Sequence, residues 1–334
     1  MSEVKGLNVV VAGAGAIGSV CALILARRGA KVILADPAEI GDNASGVAAG
    51  MLAPLCEALL DPKAENHLPL LRAAQRSWDR LLPDLAAALD RSGAVIEAGD
   101  PEVLQAKARA IGGELHLIDG AQLRQRCPGL APKGPWLFTP EDWRLEPLTM
   151  LAALHRGLRD AGGTLVRADA ADISGADFIV QATGPGPGLI PIKGQILRFP
   201  GAGPRSGPAV RGEGIYLAPA PGGVVAGATM EEGRADRTID AEAVRTLRAR
   251  AVRLFPALEN AEVQAQAGVR AATADGLPLV GPMDEPGVLV ARGARRNGWL
   301  MAPLIAEVVL ERMAGPARSA AAAAFDPARF AAGR

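Results

Sequence analysis

The sequence predicts an α/β fold, and three observations near the N-terminus carry that prediction. The apolar run Leu7–Ala12 is typical of a buried parallel strand. A glycine-rich turn follows it, and then an apolar helical pattern that ends at Gly29. Lys31–Ala35 is typical of a second strand, which ends at Asp36. Strand, turn, helix and strand in this order predict a Rossmann-type βαβ unit.

The turn after the first predicted strand has the spacing of a dinucleotide-binding motif. Gly13 permits the tight turn, Gly15 lets the backbone approach a pyrophosphate, and Gly18 allows close helix–strand packing. The amides at the helix N-terminus favour phosphate oxygens. Asp36 is placed to bind ribose hydroxyl groups, which disfavours NADP but leaves FAD and NAD open. The predicted cofactor contacts in this unit are Gly13, Gly15, Ala16, Ile17, Gly18 and Asp36.

Composition excludes several other classes of protein. The chain has 334 residues, with 36 Lys+Arg and 36 Asp+Glu, so its net charge gives no support to a nucleic-acid partner. Three Cys and three His are scattered without metal-ligand spacing, so we predict no metal site and no disulfide framework. Unclustered thiols suit a reducing compartment, and we therefore expect a cytoplasmic protein.

One uncharged stretch has an alternative interpretation. Residues 7–26 carry no charged side chain and are almost long enough to span a bilayer. A signal peptide or membrane anchor would have this character. The glycine spacing within the stretch gives the other explanation, so we expect no membrane association.

Several ordered blocks along the chain carry a family resemblance. They include Ala49-Gly50-Met51-Leu52, Ala182-Thr183-Gly184, Ile192-Lys193-Gly194-Gln195 and the segment 267–278, which reads AGVRAATADGLP. On these blocks the chain resembles the D-amino-acid oxidase superfamily of FAD enzymes, most closely the glycine oxidases. The resemblance favours FAD over NAD. Sarcosine-oxidase relatives attach FAD through a cysteine in the last third of the chain. Because no Cys follows Cys127 in this sequence, FAD is expected to be noncovalent.

The resemblance implies a particular architecture. It is the glutathione-reductase-like FAD fold of the D-amino-acid oxidase type, in which a Rossmann-type FAD-binding domain is interleaved with an antiparallel-sheet substrate domain. The FAD-binding domain is expected to comprise residues 1–80, 141–190 and 270–334. The substrate domain is expected to comprise residues 81–140 and 191–269. The segment between Arg167 and Ala176 is shorter than in the family, where a longer excursion often contacts adenine. The adenine contact is therefore left unassigned.

The resemblance also implies contacts with the flavin. A small-residue segment is expected to run under the flavin and to line the substrate pocket. The Ala-Thr-Gly block is expected near the pyrophosphate and ribose. Amides at the start of the last long helix are expected to stabilise the reduced flavin anion. The residues implied are Ser45, Ala48, Ala49, Gly50, Met51, Thr183, Gly184, Arg270, Asn297, Gly298, Trp299 and Leu300.

Four residues are expected to act on the substrate. By resemblance, Arg270 binds the substrate carboxylate, since a guanidinium forms a bidentate pair with it. Tyr216, the single tyrosine, is expected to bond the same carboxylate, and Arg296 and Met51 are expected to line the site. The alternatives are an internal ion pair for Arg270 and a packed aromatic for Tyr216. Arg292 and Arg295 compete with Arg296 for the place facing the pocket. Hydride transfer from a neutral amine requires no His.

The implied reaction is oxidative deamination of glycine or another small amino acid. Glycine, O₂ and water would give glyoxylate, ammonia and H₂O₂, and the reaction could supply the imine for the thiazole of thiamine. The amino acid and O₂ are the expected partners, and a homo-oligomer is expected. The alternatives are an FAD dehydrogenase or oxidase of D-amino acids or sarcosine that uses another acceptor, an inactive FAD-binding subunit, and an NAD-binding protein.

Overall fold

The fold is that of a computed structural model, which describes residues 4–131 and 134–333. Its helices are α1 (Ala16–Arg27), α2 (Ala44–Val47), α3 (Pro54–Leu60), α4 (Leu68–Leu81), α5 (Pro101–Ala110), α6 (Gly120–Arg126), α7 (Pro147–Asp160), α8 (Ala241–Leu254), α9 (Gly298–Ala314) and α10 (Ala320–Ala324). Short 3₁₀ helices span Glu65–His67, Leu82–Asp84, Ala170–Asp172, Pro256–Leu258 and Pro327–Gly333.

The strands form two large sheets and one short antiparallel pair, β3 with β7. They are β1 (Asn8–Ala12), β2 (Lys31–Ala35), β3 (Met51–Leu52), β4 (Ala94–Glu97), β5 (His116–Ile118), β6 (Trp136–Thr139), β7 (Trp143–Arg144), β8 (Thr164–Val166), β9 (Phe178–Gln181), β10 (Ile190–Pro200), β11 (Ala209–Gly212), β12 (Ile215–Ala220), β13 (Gly223–Gly227), β14 (Glu231–Glu232), β15 (Gln264–Ala272), β16 (Leu279–Pro282) and β17 (Val288–Arg292).

The first sheet has the order β16-β17-β9-β1-β2-β8. Its core strands β17, β9, β1, β2 and β8 are parallel, and β16 adds an antiparallel edge. Helices α1, α7 and α9 pack together against it. The predicted Rossmann-type unit is therefore confirmed. Because the strands are parallel, the loops after β1, β9 and β17 meet at one edge, where such sheets bind ligands.

The second sheet has the order β14-β10-β13-β12-β11-β4-β6-β5, and β15 pairs with β10. It is antiparallel except where β4 runs parallel to β11. Its strands come from two stretches of the chain, 94–139 and 190–272. The first sheet uses the segments on either side of them, so the two sheets are interleaved along the chain as predicted. The proposed domain boundaries themselves stay a prediction.

Local bounds differ from the sequence expectation at several places. The pattern over 117–130 predicts a short helix, but its first residues belong to β5 and α6 spans only Gly120–Arg126. The helical periodicity predicts a helix over 66–91, but α4 ends at Leu81. Pro83 follows, and it has no amide hydrogen with which to continue the helix. The pattern over Val224–Glu231 predicts one strand, but β13 ends at Gly227 and β14 begins four residues later. By contrast, α8 has the predicted bounds, because Asp240 caps it by accepting from two backbone amides.

Helix α9 contains a proline, and the backbone carbonyl that this proline leaves without a helical donor is bound by a side chain of α4. Pro303 lacks the amide that would bond the carbonyl oxygen of Trp299, four residues earlier. The Nε1 atom of Trp78 on α4 donates to that oxygen at 3.0 Å. The two indole rings lie 6.2 Å apart between centroids. The proline therefore frees a backbone acceptor that joins α4 to α9. None of the helices in the described part of the chain is long and apolar enough to cross a membrane.

Candidate functional site

A cavity of about 380 Å³ opens at the carboxyl edge of the first sheet. Its walls are the loops that follow β1, β9 and β17, together with the segment around α2. Most of the predicted cofactor contacts line it. They are Gly13, Gly15, Ala16, Ile17, Asp36, Ser45, Ala48, Thr183, Gly184, Arg270, Gly298 and Trp299.

The N-terminus of α1 points its backbone donors at this cavity. The amide of Ala16 donates to Ser45 Oγ at 2.9 Å. Gly15 faces the same hydroxyl, and a Cβ atom there would lie 3.1 Å from Ser45 Oγ. The carboxylate of Asp36 accepts from the amides of Ala14 at 2.7 Å and Ala38 at 2.9 Å. Backbone contacts therefore fix the acid beside the cavity, as ribose binding would require.

The residues present fit a dinucleotide. Close approach of a pyrophosphate needs a glycine without a side chain at the helix N-terminus and backbone amides beside it. Gly15, Ala16 and Ile17 line the cavity at the start of α1, and the nearest group to a Cβ position at Gly15 is the movable hydroxyl of Ser45. Gly18 contributes differently, because its Cβ would overlap the carbonyl oxygen of Gly13. It therefore serves the close packing of α1 and does not line the cavity.

A second cavity, of about 950 Å³, lies against the second sheet. Ala48, Arg270, Arg296 and Trp299 line both cavities, so the two meet at these residues. Ala49, Gly50, Met51 and Tyr216 line the larger one. A flavin ring held at the junction would separate the nucleotide side from a substrate side.

The floor of the larger cavity is one face of the second sheet. Arg270 is opposite Ile192 on the neighbouring strand, and its guanidinium lies over Gly194, where a Cβ atom would overlap it. Tyr216 is opposite Gly227, and a Cβ there would lie 2.6 Å from the tyrosine hydroxyl. Each long side chain therefore lies across the glycine of the next strand, which brings the two toward each other.

Arg270 has no carboxylate partner among the residues that the structure describes. Its Nη1 atom donates to the carbonyl of Thr229 at 3.4 Å and lies 3.4 Å from Met230 Sδ. Burial lowers the pKa of its guanidinium, and the nearby charge of Arg296 lowers that pKa as well. This geometry speaks against the internal ion pair and suits an anion from outside the chain.

The three arginines near the start of α9 have different surroundings. Arg292 donates to the side chain of Gln181 and lines the cofactor cavity. Arg295 pairs with Asp61 and has a left-handed backbone, with φ of 51°. Of the three, Arg296 lines the larger cavity, and its Nε lies 2.8 Å from Glu57 Oε2. Arg296 therefore faces the pocket already ion-paired, unlike Arg270.

The remaining predicted residues lie at the start of α9. Trp299 is buried, and its Nε1 donates to the carbonyl of Ser45 at 3.0 Å, which ties α9 to the segment under the expected flavin. Leu300 is fully buried in the core, so only its amide could serve a cofactor. Asn297 makes no side-chain cap. The proposed contact of these amides with the flavin stays a prediction.

Sequence reasoning missed five charged residues of the larger cavity, which are Glu57, Glu97, Arg211, Glu213 and Arg253. Arg211 lies in the apolar strand β11, within the segment Ala209-Val210-Arg211-Gly212. That is the same signal that singled out Arg270. Glu57 lies in the first turn of α3, where an acid also suits the helix end, so its pocket role had no separate signal.

The histidines take no part in either cavity. His155 is buried, its Nε2 lies 2.9 Å from Ser19 Oγ, and it joins α7 to α1. Burial lowers its pKa to about 4. His67 is half-buried, and His116 is exposed. Among the described residues no group of His, Cys, Asp and Glu could hold a metal ion.

The fold and the two joined cavities define a flavin-dependent oxidoreductase. The chain belongs to the FAD-dependent oxidoreductase (DAO) family, whose pattern matches residues 8–312. The chain is therefore an enzyme of this class, and the prediction that its cofactor is FAD is confirmed.

Individual relatives narrow the comparison. A thiamine biosynthesis oxidoreductase, ThiO, named in Rhizobium etli is 33% identical over 324 residues, covering 92% of this chain and 96% of the relative. A glycine oxidase of Geobacillus kaustophilus is 28% identical over 353 residues, and the match covers 91% of this chain and 92% of the length of that relative. The crystal structure of glycine oxidase from Geobacillus kaustophilus has a TM-score of 0.79 at 25% identity, covering 96% of this chain and 98% of that one.

Proposed function

We propose that this enzyme oxidises a small amino acid, glycine or a close relative of it, with O₂ as the electron acceptor. The observation that carries the proposal is the guanidinium of Arg270. It lies where the cofactor and substrate cavities meet, and it has no carboxylate partner in the described chain. The names of the relatives support the same substrate class.

The side chains have distinct tasks in this reaction. Arg270 holds the substrate carboxylate through its planar fork, and Tyr216 donates its hydroxyl hydrogen to the same group. These contacts orient the Cα–H bond toward the junction of the cavities. Bound FAD supplies the hydride acceptor. Arg296, already paired with Glu57, closes the wall without competing for the substrate. The net reaction is glycine, O₂ and water to glyoxylate, ammonia and H₂O₂.

A second candidate keeps the site and changes the electron acceptor. An FAD-dependent dehydrogenase of D-amino acids or sarcosine would use the same carboxylate clamp. Oxygen consumption with peroxide formation, compared with reduction of an artificial dye, separates the two. The name of the Rhizobium etli relative extends the first proposal, because a glycine-derived imine could enter thiamine synthesis.

Substitution of Arg270 tests the proposal directly. Arg270→Ala should weaken apparent substrate binding by about 2–5 kcal/mol, because it removes a charge-assisted bidentate contact. Arg270→Lys should recover part of the loss, since an ammonium cannot reproduce the fork. The measurement is anaerobic flavin bleaching against amino-acid concentration, with FAD content checked in each variant.

The control is Arg245→Ala on the exposed face of α8, where the side chain pairs with Glu242. It should bleach like the wild type. Amines without a carboxylate should respond little to Arg270→Ala. Equal rates and equal saturation for Arg270→Ala and wild type with glycine would reject the clamp. Acid precipitation of the yellow protein should release the flavin, and flavin in the pellet would contradict noncovalent binding.

A further inference from the structure

A second arginine, Arg211, lines the larger cavity on one side of Tyr216, while Arg270 lies on the other side. It lines the cavity, yet only 6% of its surface is exposed. Its Nε and Nη2 atoms are buried and have no hydrogen-bond partner among the described residues. A buried guanidinium without hydrogen bonds carries a large desolvation cost. Something that enters the cavity would be expected to offset it.

The acids near Arg211 are already engaged. Glu57 Oε1 lies 3.6 Å from Arg211 Nη2, beyond hydrogen-bond distance, while its other oxygen lies 2.8 Å from Arg296 Nε. One carboxylate therefore serves two guanidinium groups. Asp142 is also close enough to interact with Arg211, but its oxygens accept from the amides of Leu55 and Cys56. Neither acid satisfies the donors of Arg211.

The register of the second sheet places Arg211 with the predicted substrate residues. Arg211 is directly opposite Tyr216, and Tyr216 is directly opposite Gly227. Opposite residues on neighbouring strands share a face, as do residues two or four apart on one strand. Arg270 lies on that same face, beyond Gly227 in the strand order. Tyr216 thus stands between two guanidinium groups, and neither group is hydrogen-bonded to a carboxylate.

The cavity is also larger than glycine alone would need. It measures about 950 Å³ and continues past Arg211 to the ends of β4 and β11. Binding pockets of 300–1,000 Å³ take whole drug-sized ligands. At that outer end, Arg253 is neutralised by Glu97, with two contacts of 2.7 and 2.6 Å. Besides Arg270, the guanidinium of this cavity that lacks a hydrogen-bonded carboxylate is therefore Arg211, whose nearest acid, Glu57, is 3.6 Å away and shared with Arg296.

We propose that Arg211 binds a second carboxylate of the substrate, so that the preferred substrates are small dicarboxylic amino acids. The second acid would sit on the side chain or on the substituent of the amine nitrogen. This inference rests on the proposed function, because the first carboxylate is the one held by Arg270. The chemistry is the same oxidation: with FAD bound, the Cα–H and N–H bonds would be lost as two electrons and two protons, which O₂ takes up as H₂O₂. Water would then cleave the C=N bond to the 2-oxo acid and either ammonia or the remaining amine.

The kinetic test compares diacids with neutral isosteres of the same size. Iminodiacetate is paired with its monoamide, N-(carbamoylmethyl)glycine, and each enantiomer of aspartate with that of asparagine. We expect at least a tenfold larger kcat/KM for one or more of the diacids than for its isostere. Arg211→Met should lower that ratio at least tenfold. The double variant Arg253→Met/Glu97→Gln is the control and should leave the ratio as it is, because it removes both charges of an ion pair in the same cavity.

A binding test needs no turnover. Succinate and butyrate differ by one carboxylate, and neither can be deaminated. Succinate should raise the melting temperature of the FAD-loaded wild type more than butyrate does, and Arg211→Met should abolish the difference. Where Arg211→Met fails to fold, Arg211→Gln replaces it, because it removes the charge, keeps hydrogen-bonding groups beside Glu57 and leaves the pair of Glu57 with Arg296 in place.

The outcomes separate this inference from the proposed function. If glycine and the isosteres are oxidised as well as the diacids, and Arg211→Met leaves both the kinetic ratio and the succinate shift unchanged, the inference is overturned while the proposed function stands. If no amino acid bleaches the flavin, the proposed function fails, and the dicarboxylic amino-acid substrates fail with it. A tenfold fall in the ratio, seen in Arg211→Met and absent from Arg253→Met/Glu97→Gln, supports the second carboxylate.

Discussion

The two cavities are built by different means, although they meet at four residues. The cofactor cavity consists of short loops at the ends of parallel strands, and it presents backbone amides and small residues. The larger cavity lies on a sheet face, and long charged side chains from distant segments point into it. A site made of backbone is damaged by added volume, whereas a site made of side chains is damaged by lost charge or misplacement. Added volume should therefore harm the cofactor cavity most, and displaced charge should harm the larger cavity most.

The largest effect is expected where the cofactor loop is most tightly packed. Gly18→Ala should lower the free energy of unfolding by about 3 kcal/mol or more and abolish FAD retention, because the new Cβ overlaps the carbonyl oxygen of Gly13. Gly15→Ala should cost about 1 kcal/mol or less, since its neighbour is the hydroxyl of Ser45 at 3.1 Å, which can move. Denaturant unfolding and FAD absorbance measure both. Equal losses in the two variants would contradict this account of the loop.

Acid should loosen the cofactor side through His155. Its pKa is about 4 in the fold and 6.5 ordinarily, so below pH 6.5 the unfolded chain binds a proton that the folded chain does not. The free energy of unfolding should therefore fall by about 3 kcal/mol as pH drops from 6.5 to 4. His155→Gln should remove that part of the fall, as measured by denaturant titrations at each pH.

The difference between variant and wild type is the quantity to compare, because Asp142 acts in the opposite direction. Burial raises the pKa of its carboxyl to about 6. Its contribution to stability is therefore lost as pH rises from 3.8 to 6. Asp142→Asn provides the matched control, with a difference of opposite sign. A His155→Gln curve parallel to that of the wild type would show that His155 is protonated normally in the fold.

A smaller effect is expected on the floor of the larger cavity. Gly194→Ala places a Cβ where the guanidinium of Arg270 lies, and that flexible side chain can move aside. Stability should change by about 1 kcal/mol or less, while substrate KM rises about tenfold, a loss of about 1.4 kcal/mol in binding. FAD content should stay the same. If Gly194→Ala lowered stability and FAD content but left KM unchanged, the larger cavity would respond to added volume as the cofactor cavity does, and the distinction between the two cavities would be wrong.

The smallest effect on cofactor and substrate binding is expected at the contact between α4 and α9, where the change should be in stability alone. Trp78→Phe keeps an aromatic ring but removes the donor to the carbonyl oxygen of Trp299. Since Pro303 cannot bond that oxygen, it is left unsatisfied, which should cost about 1–3 kcal/mol in stability. Substrate KM should not change. Thermal unfolding of Trp78→Phe alone and with Pro303→Ala tests the explanation, because the second change returns an amide to the oxygen.

The strength of each sequence prediction follows how local its physical cause is. The βαβ unit was predictable because strand periodicity, the glycine spacing and the acid all fall within residues 7–36. Helix α8 was predictable for the same reason, since its cap and its apolar face are contained in one segment. The bounds of α4 and β13 were less predictable. The end of α4 had a local signal in Pro83, but the apolar periodicity continues past that residue and extended the predicted helix. The end of β13 depends on the pairing of β10 with β14, which is a contact between separate segments.

The candidate site divides in the same way. Arg270 and Tyr216 could be singled out by residue type and resemblance, but that their side chains lie over Gly194 and Gly227 depends on strand register. That Arg296 is paired with Glu57 could not be predicted, because 239 positions separate the two residues in the chain. Arg211 was overlooked, although its apolar strand context matches that of Arg270.

The sequence by itself determined the nucleotide-binding edge, because the groups that bind there are backbone amides whose positions follow from glycine spacing and helix direction. Only the tertiary structure decided which charged side chains face the substrate and which are already neutralised. A guanidinium on a strand has the same sequence signal whether a carboxylate meets it or not. Whether one does depends on how α3, β11, β15 and the start of α9 pack around one cavity.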